Sequence, residues 1–357
     1  MSLDFHPLRV SAVQRDTDEA VVVSLDVPEA LRETFRFTPG QYLTLRSRVG
    51  GEDLRRSYSI CAGADDDALR VGVRLLPGGA FSQWVNGTLK AGDTLQVFPP
   101  QGHFHVPLQP GAQRHFVGIA AGSGITPILS IMKTVLAREP ESRFTLIYGN
   151  RRQASTMFRE EIEDLKNRYL TRLSLHHVFS REQQDLPLGE GRISRAKLAE
   201  FIGPLIDPRD IDEVFVCGPY EMNDEAEAAL REAGVPAERI HIERFGAPPF
   251  GGAPAHPVLA GDAAQARITI IRDGQRREFD FHAGDESLLD AAAAAGLEVP
   301  YSCKSGVCST CRAKLVEGEV RMDRNFALEK AEVAAGFILA CQSHPLTERV
   351  VISYDER

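Results

Sequence analysis

A chain of 357 residues with 43% hydrophobic and 25% charged residues has apolar material for two or three globular cores. Its formal net charge of −9, with no basic block or basic helix, excludes phosphate-backbone binding as a main activity, so no nucleic-acid partner is expected. No apolar run approaches the roughly 20 residues that span a bilayer, and MSLDFHPLRV has no basic stretch followed by an apolar one, so the expected place is the cytoplasm, away from membranes.

From Leu8 to about Pro107 the chain is rich in short apolar segments: LRVSAVQ, AVVVSLDV, QYLTLRSRV, RSYSICA, LRVGVRLL and DTLQVF. Turn residues separate them, among them Pro39-Gly40, Gly50-Gly51 and Gly92-Asp93, which predicts an antiparallel barrel or sandwich. Within it, Arg56-Ser57-Tyr58-Ser59 puts a cation, an aromatic face and hydroxyls on one strand. A flavin needs those three groups, for its phosphate, its ring and its reactive nitrogen. On its own the run also fits a half-buried strand. Further on, Gly78, Gly79 and Ser82 precede or open the short helix SQWVNGTLK, where backbone N–H groups at a helix start suit a phosphate. An ordinary turn and cap gives the same pattern.

From about Gln113 to Phe245 the period changes. HFVGIA, FTLIYGN, LSLHHVFS, EVFVCG and IHIERF read as strands. Between them, ITPILSIMKTVLARE, the stretch from Met157 to Tyr169, SRAKLAEFI and the stretch from Tyr220 to Ala233 read as helices. Such alternation predicts a parallel, doubly wound α/β domain. After its first strand, Gly122, Gly124 and Thr126-Pro127 form a glycine turn that opens a helix, where a pyrophosphate can approach the backbone. Cys217 and Gly218 end a later strand at the same ligand-binding edge of the sheet.

Residues 246–266, dense in Gly, Pro and Ala, read as a linker that lets the last domain move. RITIIRD, a Gly274 turn and REFDFH predict a hairpin, and DESLLDAAAAAG a short helix with an acidic start and a glycine stop. YSCKSGVCSTC then spaces Cys303, Cys308 and Cys311 as C-x4-C-x2-C, with Cys341 on a separate segment. The chemistry requires four thiolates around two irons, and a tight loop can deliver three with a fourth from a separate segment, which is the plant-type [2Fe–2S] pattern. Structural zinc sites instead tend to use two C-x2–4-C pairs.

The last segment therefore resembles a plant-type ferredoxin, with an α+β, β-grasp-like fold. Residues 5–245, with R-x-Y-S, GSGITP, CGP and ERF, resemble the ferredoxin–NADP reductase superfamily. The full domain order resembles the reductase subunits of phenylacetyl-CoA epoxidase (ring-1,2-epoxidase) complexes. The resemblance implies a barrel over 3–108, a nicotinamide domain over 109–245, the linker and a ferredoxin domain over 267–357. It implies that Arg56, Ser57, Tyr58, Ser59, Gly79 and Ser82 hold FAD, and that Gly122, Gly124, Thr126 and Gly218 approach the dinucleotide. Ser180 and Arg181 match the position that takes the 2′-phosphate of NADPH, with Arg151 and Arg152 as further candidates and NADH left open. Ser59, Cys217, Glu243 and Phe245 match positions around the flavin and nicotinamide rings. The implied partner is a di-iron oxygenase, with other oxygenases as alternative clients. A redox sensor whose cluster only reports oxidation state is the alternative from a different class.

Overall fold

The computed structural model describes residues 4–246 and 256–356. They form two bodies, one of Phe5–Phe245 and one of Asp4 with the chain from Gly246 onward.

In the first body the predicted strands become β1 (His6–Thr17), β2 (Ala20–Asp26), β3 (Tyr42–Val49), β4 (Glu52–Ser59), β5 (Leu69–Arg74) and β6 (Thr94–Gln101), with helix α1 (Ala80–Gly87) between the last two. The sheet runs β4-β3-β6-β1-β2-β5 with antiparallel neighbours. An antiparallel bridge from Ile60 to Val71 joins its two ends and makes a barrel. Alternate residues such as Leu8 and Val10, Val21 and Val23, and Leu43 and Leu45 fill the interior, as the two-residue period of a strand requires.

The α/β part follows as β7 (His115–Ala121), α2 (Ile125–Arg138), β8 (Arg143–Asn150), α3 (Arg159–Arg168), β9 (Leu173–Phe179), α4 (Arg195–Phe201), β10 (Glu213–Gly218), α5 (Tyr220–Glu232) and β11 (Ile240–Arg244). Its five strands are parallel in the order β11-β10-β7-β8-β9. The chain winds outward from β7 to β9 and then returns to β10 on the other side. The winding direction reverses at β7 and β10, so their carboxyl ends form the switch-point crevice. Helix α3 starts two residues later than the sequence suggests. Phe158 is left-handed at φ 56°, and its N–H donates to both carboxylate oxygens of Asp16 at 3.1 Å.

Barrel and sheet share one apolar cluster that includes Ala20, Val22, Cys61 and Phe104 from the first and Ile125, Ile128, Leu129 and Met132 from the second. Polar contacts lock the seam: Ser130 Oγ donates to Ala62 O at 2.6 Å, and Ala64 N to Thr134 Oγ1 at 3.0 Å. At its edge, Glu161 accepts from Arg70 at 2.8 Å and from Lys133 at 2.6 Å.

The second body holds β12 (Gln265–Arg272), β13 (Gln275–His282), α6 (Leu288–Ala294), β14 (Arg312–Glu317), β15 (Val320–Met322), α7 (Lys330–Ala334), β16 (Phe337–Leu339), β17 (Ser343–Pro345) and β18 (Arg349–Ser353). The hairpin turns at Asp273-Gly274, both with positive φ, and Ser287 caps α6 by accepting from Asp290 N. A mixed sheet β13-β12-β18-β14-β16 results, with β12 parallel to β18, and β15 pairs with β17 apart from it. The elements from β14 on had no clear periodic signal, because several strands are only three residues long. Of the stretch read as linker, 247–255 lie outside the described residues. Residues 256–264 instead belong to this body: Arg321 donates to Pro257 O at 2.7 Å and Ala263 N to Pro345 O at 2.9 Å, and β12 starts at Gln265. Polar ties from Arg321, invisible in a Gly/Pro/Ala composition, hold that half in place. Among the described residues, no helix is long and apolar enough to cross a membrane.

The turn after β7 approaches β10 closely: a Cβ on Gly124 would lie 2.0 Å from the Cys217 carbonyl oxygen. Since Gly124 has ordinary right-handed φ, only space forbids a side chain there. The Gly124→Ala variant is expected to lose about 1–3 kcal/mol of stability through overpacking, read as a lower melting temperature. An unchanged melting temperature would show that the end of β10 yields freely.

Candidate functional site

The loop between α6 and β14 brings three thiols together, and the turn after β16 adds the fourth. Cys308, Cys311 and Cys341 are buried and Cys303 is half-buried. The Cys303 sulfur accepts from the thiols of Cys308 and Cys341, and Cys341 also meets Cys311, so the four sulfurs form one connected group. Those contacts hold the Cys303 thiol well below its ordinary range and push Cys308 and Cys341 above theirs. Ser305 N donates to Cys303 Sγ at 3.4 Å, and Thr310 donates to Cys308. Gly306 has φ +76°, and a Cβ there would come within 3.0 Å of Arg324 O, so a side chain would open the loop. Four convergent sulfurs with N–H and hydroxyl donors around them fit a [2Fe–2S] cluster held by thiolates.

In the first body, Ser59 at the end of β4 meets Glu243 at the end of β11. Ser59 Oγ donates to Glu243 Oε2 at 3.1 Å across 184 residues of sequence. Cys217 beside them is fully buried, and burial with the Glu243 charge pushes its thiol well up. The Glu243 residue is half-buried as a whole, but its carboxyl is densely surrounded; that burial, opposed by the Ser59 hydrogen bond, pushes it up to about 8. Asn223 on α5, which carried no sequence signal, ties this corner together. Its Nδ2 reaches Glu243 O at 3.2 Å and Gly218 O at 3.4 Å.

Along β4, Arg56 is exposed and Tyr58 half-buried, while Ser57 Oγ hydrogen-bonds Thr44 Oγ1 at 3.1 Å. The Ser82 hydroxyl turns inward instead, accepting from Leu76 N at 3.1 Å and donating to Gly79 O at 3.0 Å. The first helical bond of α1 runs from Gln83 N to Gly79 O, which leaves the N–H groups of Ala80, Phe81 and Ser82 ahead of the ladder. Phe245, just past β11, is 45% exposed.

At the switch point a cleft of about 440 Å³ is lined by Gly122, Asn150, Arg151, Ser180, Arg181 and Met222, with Arg74 and Arg192 at its walls. Gly122 has φ +55°, and a Cβ on it would lie 2.7 Å from Arg74 Nη1. Thr126 does not face the cleft: its hydroxyl donates to Ser123 O at 2.9 Å, and its methyl packs toward Gly72. Arg152 does not line it either. Arg74 and Arg192 were missed because a lone Arg on a strand or loop looks merely solvated. A buried polar atom beside the crevice, Asn223 Oδ1, has no protein partner. With the glycine-lined backbone, it fits a polar dinucleotide at this edge.

Three family profiles match the chain: "Oxidoreductase FAD-binding domain" over residues 7–106, "Oxidoreductase NAD-binding domain" over 119–228, and "2Fe-2S iron-sulfur cluster binding domain" over 270–346. The chain is 45% identical to a subunit of the 1,2-phenylacetyl-CoA epoxidase of Escherichia coli K12, covering 99% of this chain and 98% of that protein. It is 34% identical to the ferredoxin reductase component of 3-ketosteroid-9-alpha-monooxygenase of Rhodococcus rhodochrous, covering 97% and 96%. Phthalate dioxygenase reductase shares the fold at a TM-score of 0.56 and 23% identity, with 98% of each chain covered.

Because the native carboxyl of Glu243 keeps its proton until about pH 8, while in the unfolded chain it ionises near its ordinary 4.5, stability falls as pH rises between those values. The Glu243→Gln variant removes that opposition. Its melting temperature relative to the parent is expected to climb from about pH 4.5 to about pH 8 and then level off. A difference independent of pH would show that the carboxyl titrates normally.

Proposed function

The chain belongs to the family of oxygenase reductase components that join an FAD-binding, an NAD-binding and a 2Fe–2S domain, and from that premise we propose that it feeds electrons from NADPH to the di-iron oxygenase of phenylacetyl-CoA epoxidation. It is an NAD(P)H-dependent oxidoreductase component that uses FAD and a [2Fe–2S] cluster and acts with an oxygenase partner. The identity of 45% along nearly the whole of both chains carries the choice of client. Free cysteines and the chemistry of the thiol loop support a cytoplasmic place.

Bound NAD(P)H supplies a hydride, and FAD with the cluster divides its two electrons into single transfers. The exposed guanidinium of Arg56 and the N–H groups that open α1, beside Gly79 and Ser82, would hold the flavin phosphates. Tyr58 and Phe245 offer aromatic faces to its ring, and Ser57 and Ser59 offer hydroxyls. Gly122, Gly124 and Gly218 would let the pyrophosphate reach the backbone, while Thr126 keeps the turn closed from within. Arg74 at Gly122 would oppose the pyrophosphate charge. Ser180 and Arg181, with Arg192 across the cleft, would take the 2′-phosphate. Cys217 would lie near the nicotinamide. Glu243, neutral below about pH 8, would hold a proton beside Ser59 Oγ without adding a buried charge to the site. Cys303, Cys308, Cys311 and Cys341 would hold the cluster.

A second client is favoured by the 34% identity to the ketosteroid monooxygenase component. Anaerobic NADPH is expected to bleach both flavin and cluster bands of the purified protein, and addition of the phenylacetyl-CoA oxygenase subunits is expected to couple that oxidation to epoxide formation. Coupling only to a steroid oxygenase would move the client; no bleaching by either nucleotide would end the reductase reading. The Arg181→Ala variant should raise the KM for NADPH roughly 10–100-fold, the worth of a charged hydrogen bond of about 1.5–3 kcal/mol, and leave that for NADH unchanged. Equal changes for both nucleotides would remove Arg181 from 2′-phosphate recognition.

A further inference from the structure

In the second body, apart from every group assigned above, two imidazoles converge on one carboxylate. His256 Nδ1 lies 2.8 Å and His344 Nε2 2.9 Å from the same oxygen, Asp323 Oδ2. The three atoms lie within 4.8 Å of one another. The side chains are nearly buried, exposing 9%, 4% and 6% for His256, His344 and Asp323. The other oxygen, Asp323 Oδ1, accepts from Arg321 Nη1. Arg321 in turn donates to both oxygens of Asp262, at 2.6 and 2.7 Å.

Two carboxylates therefore share one guanidinium. Both stay ionised: the Arg321 hydrogen bond holds the Asp262 carboxyl below its ordinary range. Asp323, though burial pushes it up, is held down by its bonds from His256 and Arg321. Arg321 is shared between two carboxylates, so Asp323 needs further partners for its charge in this nearly buried place. Two ring nitrogens face that charge, and both are metal-binding atoms.

We propose that His256 Nδ1, His344 Nε2 and an oxygen of Asp323 form a binding site for one divalent metal ion of the zinc class. Two imidazole nitrogens with one carboxylate oxygen are a donor set that suits zinc, whereas calcium and magnesium take all-oxygen ligand sets. Ligands about 2.0–2.1 Å from a tetrahedral ion stand about 3.3 Å apart, a few tenths of an ångström beyond the present N···O separations. Each neutral ring binds through the nitrogen now facing Asp323 and carries its proton on the other. The Arg321–Asp323 bond is then the outer partner that orients the carboxylate. A fourth position remains for water. The ion staples residue 256 to β17 and to the turn after β15, segments separated by 67 and 21 residues from Asp323 as ligand pairs.

The test uses the full chain with its iron–sulfur cluster in place, verified by iron analysis, dialysed against zinc chloride and then desalted. One zinc per chain is expected, with a zinc-edge X-ray absorption spectrum showing nitrogen and oxygen neighbours near about 2.0 Å and no sulfur near about 2.3 Å. The His256→Gln variant, at the edge of the body, should weaken zinc binding about 100-fold or more, above the roughly 10–100-fold that loss of an outer partner costs. Iron-replete protein that retains no zinc would overturn the proposal and leave a purely hydrogen-bonded cluster. Sulfur around the zinc, or unchanged binding by His256→Gln, would overturn it equally by placing the metal elsewhere.

Discussion

Helix α2 stands between the barrel and the parallel sheet and belongs to both. Its Ile125, Leu129 and Met132 share a cluster with barrel residues Val22, Cys61 and Phe104, and Ser130 and Thr134 hydrogen-bond the backbone after β4. At the far side Phe104 meets Phe215 of β10 edge-on, with ring centres 5.2 Å apart. The seam is close-packed, so it sets one relation between the two sheets rather than a range of them. Ser59 comes from one sheet and Glu243 from the other. Their hydrogen bond exists only because the seam places the ends of β4 and β11 side by side.

That placement also sets the chemistry of the corner. A carboxyl enclosed by protein and given one hydroxyl donor favours its neutral form, and Glu243 accordingly keeps its proton past neutrality. Cys217 beside it stays a thiol for the same reason. The walls of the cleft carry Arg74, Arg151, Arg181 and Arg192 against Glu221 and Glu225, so they are cationic on balance and suit an anionic dinucleotide.

The second body is organised around polar ties as much as around its core. Its core is built on Ile268, Ile270, Phe281, Leu289 and Ile352, and several of its strands are only three residues long. The four thiols tie the loop from Cys303 to Cys311 to the turn after β16, and Arg321 with Asp262 and Asp323 ties residues 257–262 to the turn after β15. Gln342 adds to the first tie by donating to Lys304 O at 3.1 Å and to Cys341 O at 2.8 Å.

The sequence by itself determined whatever depends on neighbours along the chain. Two-residue and helical periods placed the barrel strands and crossover helices, because burial on one face imposes the period directly. The glycine turn at Gly122 and Gly124 and the loop from Cys303 to Cys311 were equally legible, since each is a local backbone shape with its own spacing. Tertiary structure alone decided which distant groups meet. Nothing local pairs Ser59 with Glu243, puts Arg74 under Gly122, turns the Ser82 and Thr126 hydroxyls inward, or gathers His256, His344 and Asp323. A period says which face of an element is buried, but the partner on the other side is chosen by packing, and packing is a property of the whole chain.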